Sequence, residues 1–167
     1  TIWTSATTAK ATITVTDKAG NSTPKDLTIV FDRDKPTVDK DKLTLPDKTQ
    51  TESTLFAFKG AAGSVSDVTS APEKIDIAFT SSPTDPTEAQ VSGIEVSSSG
   101  DTKGSWSSTI EFDNVTTFTT EGTKYLWIKP YDKTGNEGDW KSSNSFTYDK
   151  ANPTISFTTA SGTTNPA

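Results

Sequence analysis

Two passages of this chain follow one order of residues. "VTDKAGNSTPKDLTIVFDRDKPTV" runs from Val15 to Val38, and "PYDKTGNEGDWKSSNSFTYDKANPTI" runs from Pro130 to Ile155. Each has Asp-Lys-x-Gly-Asn, then a strand-like run, then aromatic-Asp-basic-x-x-Pro-Thr and a β-branched residue. Aligned, Asp17, Gly20 and Asn21 fall on Asp132, Gly135 and Asn136, while Asp32, Pro36 and Val38 fall on Asp149, Pro153 and Ile155. A duplication with a period of roughly 115 residues restricts the chain to folds that repeat at domain size.

Between the two passages the chain is punctuated for short strands. Thr and Ser are abundant, and the turn signals "LPDK", "GAAGS", "SSPTDPTE", "SSGDTKG", "TTEGT" and "DKTGNEGD" separate runs near 36–45, 54–59, 73–80, 92–98, 104–113, 124–131 and 144–149. No helical periodicity is present. The expectation is an all-β fold, an immunoglobulin-like antiparallel β-sandwich in a tandem array. In that phase, residues 1–34 are the C-terminal hairpin of a preceding repeat. Residues 35–151 are a complete sandwich, and residues 152–167 begin a following one. Phe56, Phe58, Ile75, Ile77, Phe79, Ile94, Val96, Ile110, Phe112, Phe146 and Tyr148, with Phe31, are the expected core residues.

Each copy of Asp-Lys-x-Gly-Asn reads as a hairpin turn. The Asp carboxylate accepts backbone N–H bonds, and Gly supplies positive φ before the strand returns. The Pro36 and Pro153 junctions fix φ and extend the preceding residue, so the link between repeats swings less than a Gly/Ser tether would. A functional alternative places calcium at the junctions, using Asp32 and Asp34 near the first and Asp132 and Asp149 near the second, although no run has the density of a dedicated calcium loop and Asp34 becomes Ala151 in the second copy.

The strand "KYLWIKPYD" aligns Leu126, Ile128 and Pro130 with Ala11, Ile13 and Val15, which sets that face inward. Tyr125 and Trp127 then lie on the outer face. They form either an aromatic platform for a sugar ring or a protein partner, or a pair covered by neighbouring loops with Trp106 or Trp140. Catalysis has few means here: the chain has no His and no Cys, so imidazole bases and thiol nucleophiles are excluded, and no carboxylate pair stands out by spacing. With a net charge of −6 and scattered basic residues, nothing marks a nucleic-acid or anionic-lipid surface, and no apolar run is long enough for membrane insertion.

The stretches "SGIEVSSSGDTKGSW", "EGTKYLWIKPYDKTGNEGDW" and "FTYDKANPTI" resemble the bacterial immunoglobulin-like repeats of large surface proteins and adhesins. The resemblance covers about half of residues 35–151 and residues 11–38 again. It implies an extracellular, cell-surface location and a non-catalytic structural or adhesive role, as a stalk or ligand-presenting segment. The implied partners are neighbouring repeats and a host glycan or protein. It implies no cofactor, with calcium as the open alternative. The runner-up function is a carbohydrate-binding module that uses Tyr125 and Trp127. Related sandwiches also include Lys–Asn isopeptide cross-links, and here no triplet of Lys, Asn and carboxylate stands out.

Overall fold

The computed structural model describes residues 7–45, 49–50, 55–98 and 102–157. Among these the chain is all-β, with only short 3-10 turns at Lys40–Lys42, Phe112–Asn114 and Thr116–Thr119. The strands are β1 (Thr7–Thr16), β2 (Ser22–Phe31), β3 (Thr37–Val38), β4 (Leu43–Thr44), β5 (Thr49–Gln50), β6 (Leu55–Ser66), β7 (Pro72–Thr80), β8 (Val91–Glu95), β9 (Lys103–Glu111), β10 (Gly122–Asp132) and β11 (Lys141–Tyr148).

β1 and β2 form a two-stranded antiparallel sheet of their own. The other strands make two facing sheets. One contains β3, β6 and β4, with β9 also paired to β6; the other has the order β5-β11-β10-β7-β8. The chain therefore crosses between sheets from β4 to β5, β5 to β6, β6 to β7, β8 to β9 and β9 to β10, while β10 and β11 pair beside β7. That connection scheme is the immunoglobulin-like sandwich. The fourth strand of the series, β8, lies beside β7 rather than beside β9. β5 closes the second sheet by running parallel to the end of β11.

Alternation in the sequence decides what lies between the sheets. On β7, Ile75, Ile77 and Phe79 point inward, and on β10 so do Leu126 and Ile128; all are 2% exposed or less. Phe56, Phe58 and Ile110 meet them from the opposite sheet. The 30% hydrophobic content suffices because its aromatic part is concentrated here. Phe112 stacks on Phe56 at 4.0 Å and on Phe118 at 3.7 Å between ring centroids, with Phe79 edge-on to Phe118 at 5.0 Å. Such pairs add to area burial. Phe118, Val115 and Trp106 belong to this core too. The first two sit on non-periodic 3-10 turns and carry no strand-period signal.

Three readings of the sequence change. The run 36–45 is broken into β3 and β4 by the Lys40–Lys42 turn, in which the Asp41 N–H donates to the capping Asp39 carboxylate. "GAAGS" does not end a strand. β6 continues through it, and residues 61–64 bulge out between the Gly60–Trp106 and Val65–Gly104 pairs. A Cβ on Gly60 would collide with the Trp106 indole and the Ser64 side chain, so glycine is set there by packing. Phe31 is 43% exposed rather than in the core, because it belongs to the separate β1–β2 hairpin.

Candidate functional site

The two Asp-Lys-x-Gly-Asn turns are the same object, bond for bond. In the first, the Gly20 N–H donates to the Asp17 carbonyl at 3.1 Å and the Asp17 N–H to the Asn21 carbonyl at 2.9 Å. One carboxylate oxygen of Asp17 accepts from the N–H groups of Ala19 at 2.8 Å and Asn21 at 2.9 Å, and the other accepts from the Asn21 amide at 3.0 Å. The second copy repeats each bond: the Gly135 N–H donates to the Asp132 carbonyl, the Asp132 N–H to the Asn136 carbonyl, and Thr134 and Asn136 donate to the Asp132 carboxylate. Gly20 and Gly135 stand at φ +90° and +91°. A turn followed by a left-handed glycine is the bulged hairpin device the spacing predicts. Hydrogen bonds from Asn21 hold the Asp17 carboxyl below its ordinary range. Burial pushes Asp132 up, and the bonds from Asn136 and Thr134 outweigh it, so that group also lies low.

The hinge after β2 is docked on the sandwich along its length. Asp32 accepts the Asp34 N–H at 3.0 Å and a long bond from the Thr134 hydroxyl at 3.4 Å. The Asp34 carboxylate accepts from Thr69 at 3.0 Å, and Lys35 pairs with Asp139 at 2.7 Å. Pro36 is fully buried, with its carbonyl against Gly138, whose missing side chain makes room for it and for the Pro130 ring. The Asp39 N–H donates to the Ser64 carbonyl at 2.9 Å. The second hinge begins identically, with the Ala151 N–H donating to Asp149 at 2.9 Å. Beyond it Ile155 and Phe157 are 80% and 90% exposed.

The acidic residues divide by place. Asp132, expected at the second junction with Asp149, lies instead beside Asp32 of the first, and the two are joined by Asp67, which the sequence reading missed; the three offer oxygens within 4.8 Å of one another. Asp67 lies at the end of β6, 7% exposed. Its Oδ1 accepts the Thr69 and Ser70 N–H groups, and its Oδ2 is buried with no hydrogen-bond partner. The other two expected residues lie outside this group. Asp34 is turned to Thr69. Asp149 lies at the other end of the sandwich, because the hairpin pairs Tyr148 with Gly122, the far end of β10 from Asp132. Ten residues of strand separate the ends by about 33 Å. "DVTS" after β6 carries the same short Asp-turn signal as the hinge, and only its position in the fold brings it to Asp132.

Tyr125 and Trp127 do not form an open platform. Trp127 is 4% exposed and its indole N–H donates to the Thr80 hydroxyl at 2.7 Å; Tyr125 is half-buried. Beside Trp127 on that outer face, Ala78 is also buried, and Asp85 of the 81–90 loop shares a cleft with Lys129 and Trp140. Lys124 continues the inward phase of β10 and is fully buried, with its ammonium on the hydroxyls of Ser81 at 2.9 Å and Thr120 at 3.2 Å. Burial lowers its pKa. These hydroxyl partners give no support to an isopeptide bond from Lys124.

No protein-family model matches the sequence. No curated protein matches it. Among solved structures, the chain is similar to the Clostridium thermocellum CbhA fibronectin(III)-like modules, with 12% identity and a TM-score of 0.47, over 93% of this chain and 69% of that one.

Proposed function

We propose that the chain is a non-catalytic structural segment of an extracellular tandem array, in which residues 35–151 are one repeat and the β1–β2 hairpin is the end of the repeat before it. The observation that carries this reading is the position of the two hinges. The incoming hinge lies at the Asp132 end of the sandwich and the outgoing hinge follows Tyr148 at the opposite end. Copies joined this way add length end to end. Each junction is held by the docked proline and its neighbours rather than left to swing.

The hairpin favours the same reading. Its register puts Ala9, Ala11, Ile13, Val15, Leu27, Ile29 and Phe31 on one face. Ile13 is 55% exposed, Val15 69%, Leu27 48% and Ile29 39%. At the aligned positions of β10 and β11, Ile128 is 0% exposed and Phe146 4%. Positions such as Ile13 and Ile29, whose counterparts are core, are exposed here, as they would be if the hairpin's own sandwich were elsewhere in the protein.

Small-angle scattering on a chain with three or more repeats tests the proposal. The expected result is a rod whose length grows by a constant step per repeat. A maximum dimension that stays that of a compact particle would overturn it. A role in adhesion, with a host glycan or protein as ligand, belongs to the same reading, and its test is binding of the multi-repeat chain to a glycan array and to host-cell surfaces.

A further inference from the structure

We propose that Asp32, Asp67 and Asp132 form a calcium site that fastens the incoming hinge to the sandwich. Three carboxylates from three separated segments converge: the hinge after β2, the end of β6 and the end of β10. Their oxygens lie within 4.8 Å of one another, and two of the residues are buried. At that separation like charges repel strongly unless a cation lies between them. The second observation is independent of the clustering. Asp67 is 93% buried, its Oδ1 is fully used by two backbone N–H groups, and its Oδ2 is buried without any hydrogen-bond partner. A buried carboxylate oxygen left bare is costly. A metal ion shared with Asp32 and Asp132 removes that cost.

The chemistry selects the ion. The chain has no His and no Cys, so the donors are hard oxygens, which suit Ca²⁺ or Mg²⁺ over Zn²⁺ or Cu²⁺. Three convergent carboxylates exceed what Mg²⁺ ordinarily takes and suit the larger, less regular shell of Ca²⁺. Asp32 is only half-buried, so water completes the shell on that side. Asp67 keeps Oδ2 unpartnered, while hydrogen bonds from Asp34 and Thr134 to Asp32, and from Thr134 and Asn136 to both oxygens of Asp132, hold those two groups in place before the ion arrives.

The site stands on its own geometry and not on the tandem reading. If that reading also holds, Asp149, which repeats the Asp32 turn at the outgoing end, brings the same ligand to the next copy. One calcium would then sit at every junction.

Calorimetric titration of chelator-treated chain with CaCl₂, paired with thermal melts, tests the site. One calcium is expected to bind per chain, and the melting temperature is expected to rise by several degrees in millimolar Ca²⁺, since a ligand of the native state stabilises it. Asp67→Asn and Asp32→Asn should each weaken binding by about tenfold or more, as loss of a charged ligand from a set of three does. In chelator, Asp67→Asn should melt no lower than the unmodified chain, because the charge repulsion is gone. If Asp67→Asn fails to fold, Asp32→Asn decides, since it lies in the hinge. Absence of binding in millimolar Ca²⁺, affinity indifferent to both substitutions, or an equal response to MgCl₂ would each overturn the site. None of those results would bear on the scattering test of the array.

Discussion

Gly20 and Gly135 sit in the left-handed region with open space where a Cβ would go. The cost of alanine there is backbone strain alone, about 1–2 kcal/mol. Gly135→Ala should lower the urea midpoint of the sandwich accordingly. Gly20→Ala should leave that midpoint unchanged, because its turn belongs to the separate hairpin sheet. The carboxyl at the base of each turn carries a pH signature. Asp17 is held below its ordinary 3.8 chiefly by Asn21. A carboxyl whose folded pKa is depressed contributes fully above its unfolded value and loses that contribution as pH falls through the folded one. The Asp17 turn should thus persist at pH 4 and open only in more acid solution. A carboxyl-carbon NMR titration of Asp17 with a midpoint at or above 3.8 would contradict the hydrogen-bond pattern. Gly138 is glycine for a different reason: a Cβ there would run into the Pro36 carbonyl and the Pro130 ring. Gly138→Ala should therefore loosen the hinge before it damages the core.

At the scale of elements, β10 joins everything that matters in the fold. Its inward residues Leu126 and Ile128 build the core, its end supplies Asp132, and its start carries a buried cation. Lys124 has two hydroxyls for company and a lowered pKa caused by burial. With the folded pKa below the unfolded one, protonation favours the unfolded chain, so stability should rise as pH increases from the folded value towards 10.5. Lys124→Met, which keeps the length and removes the charge, should stabilise the sandwich by about 1 kcal/mol. Chemical denaturation at pH 7 and again at pH 9.5 checks both statements, with a smaller gap between the two proteins at the higher pH. The bulge in β6 makes the opposite demand. Gly60→Ala would press on Trp106 and Ser64, and overpacking of this kind costs about 1–3 kcal/mol.

For the whole molecule, the arrangement to be tested is the partition between hairpin and sandwich. Lys10, Lys18 and Lys25 lie on the exposed β1–β2 hairpin, Lys18 in its turn. Limited trypsin digestion of the chain as it stands should cut there first and leave residues 35–151 intact. In a chain extended by a complete preceding repeat, the same lysines should be cut more slowly, because the apolar face of the hairpin, which carries Lys25 itself, would be packed. Equal cutting rates in both chains would count against the assignment of the hairpin to a preceding sandwich. Much of this plan is legible in the residues. The turn at Asp17 and its duplicate at Asp132 follow from local chemistry: a carboxylate within reach of its own backbone N–H groups, and a glycine free to take positive φ. Strand alternation likewise placed Ile75, Ile77, Phe79, Leu126 and Ile128 inside. Contacts between segments far apart in the chain could not be read this way. That Trp127 is covered rather than open, with its indole N–H on Thr80, depends on contacts across the fold. That Asp67 meets Asp32 and Asp132 while Asp149 stands about 33 Å away depends on strand length and pairing. Sequence fixes what each short segment can do with its own backbone, since those interactions span a few bonds. Which distant side chains come to share one small volume is decided only when the sheets pair and pack.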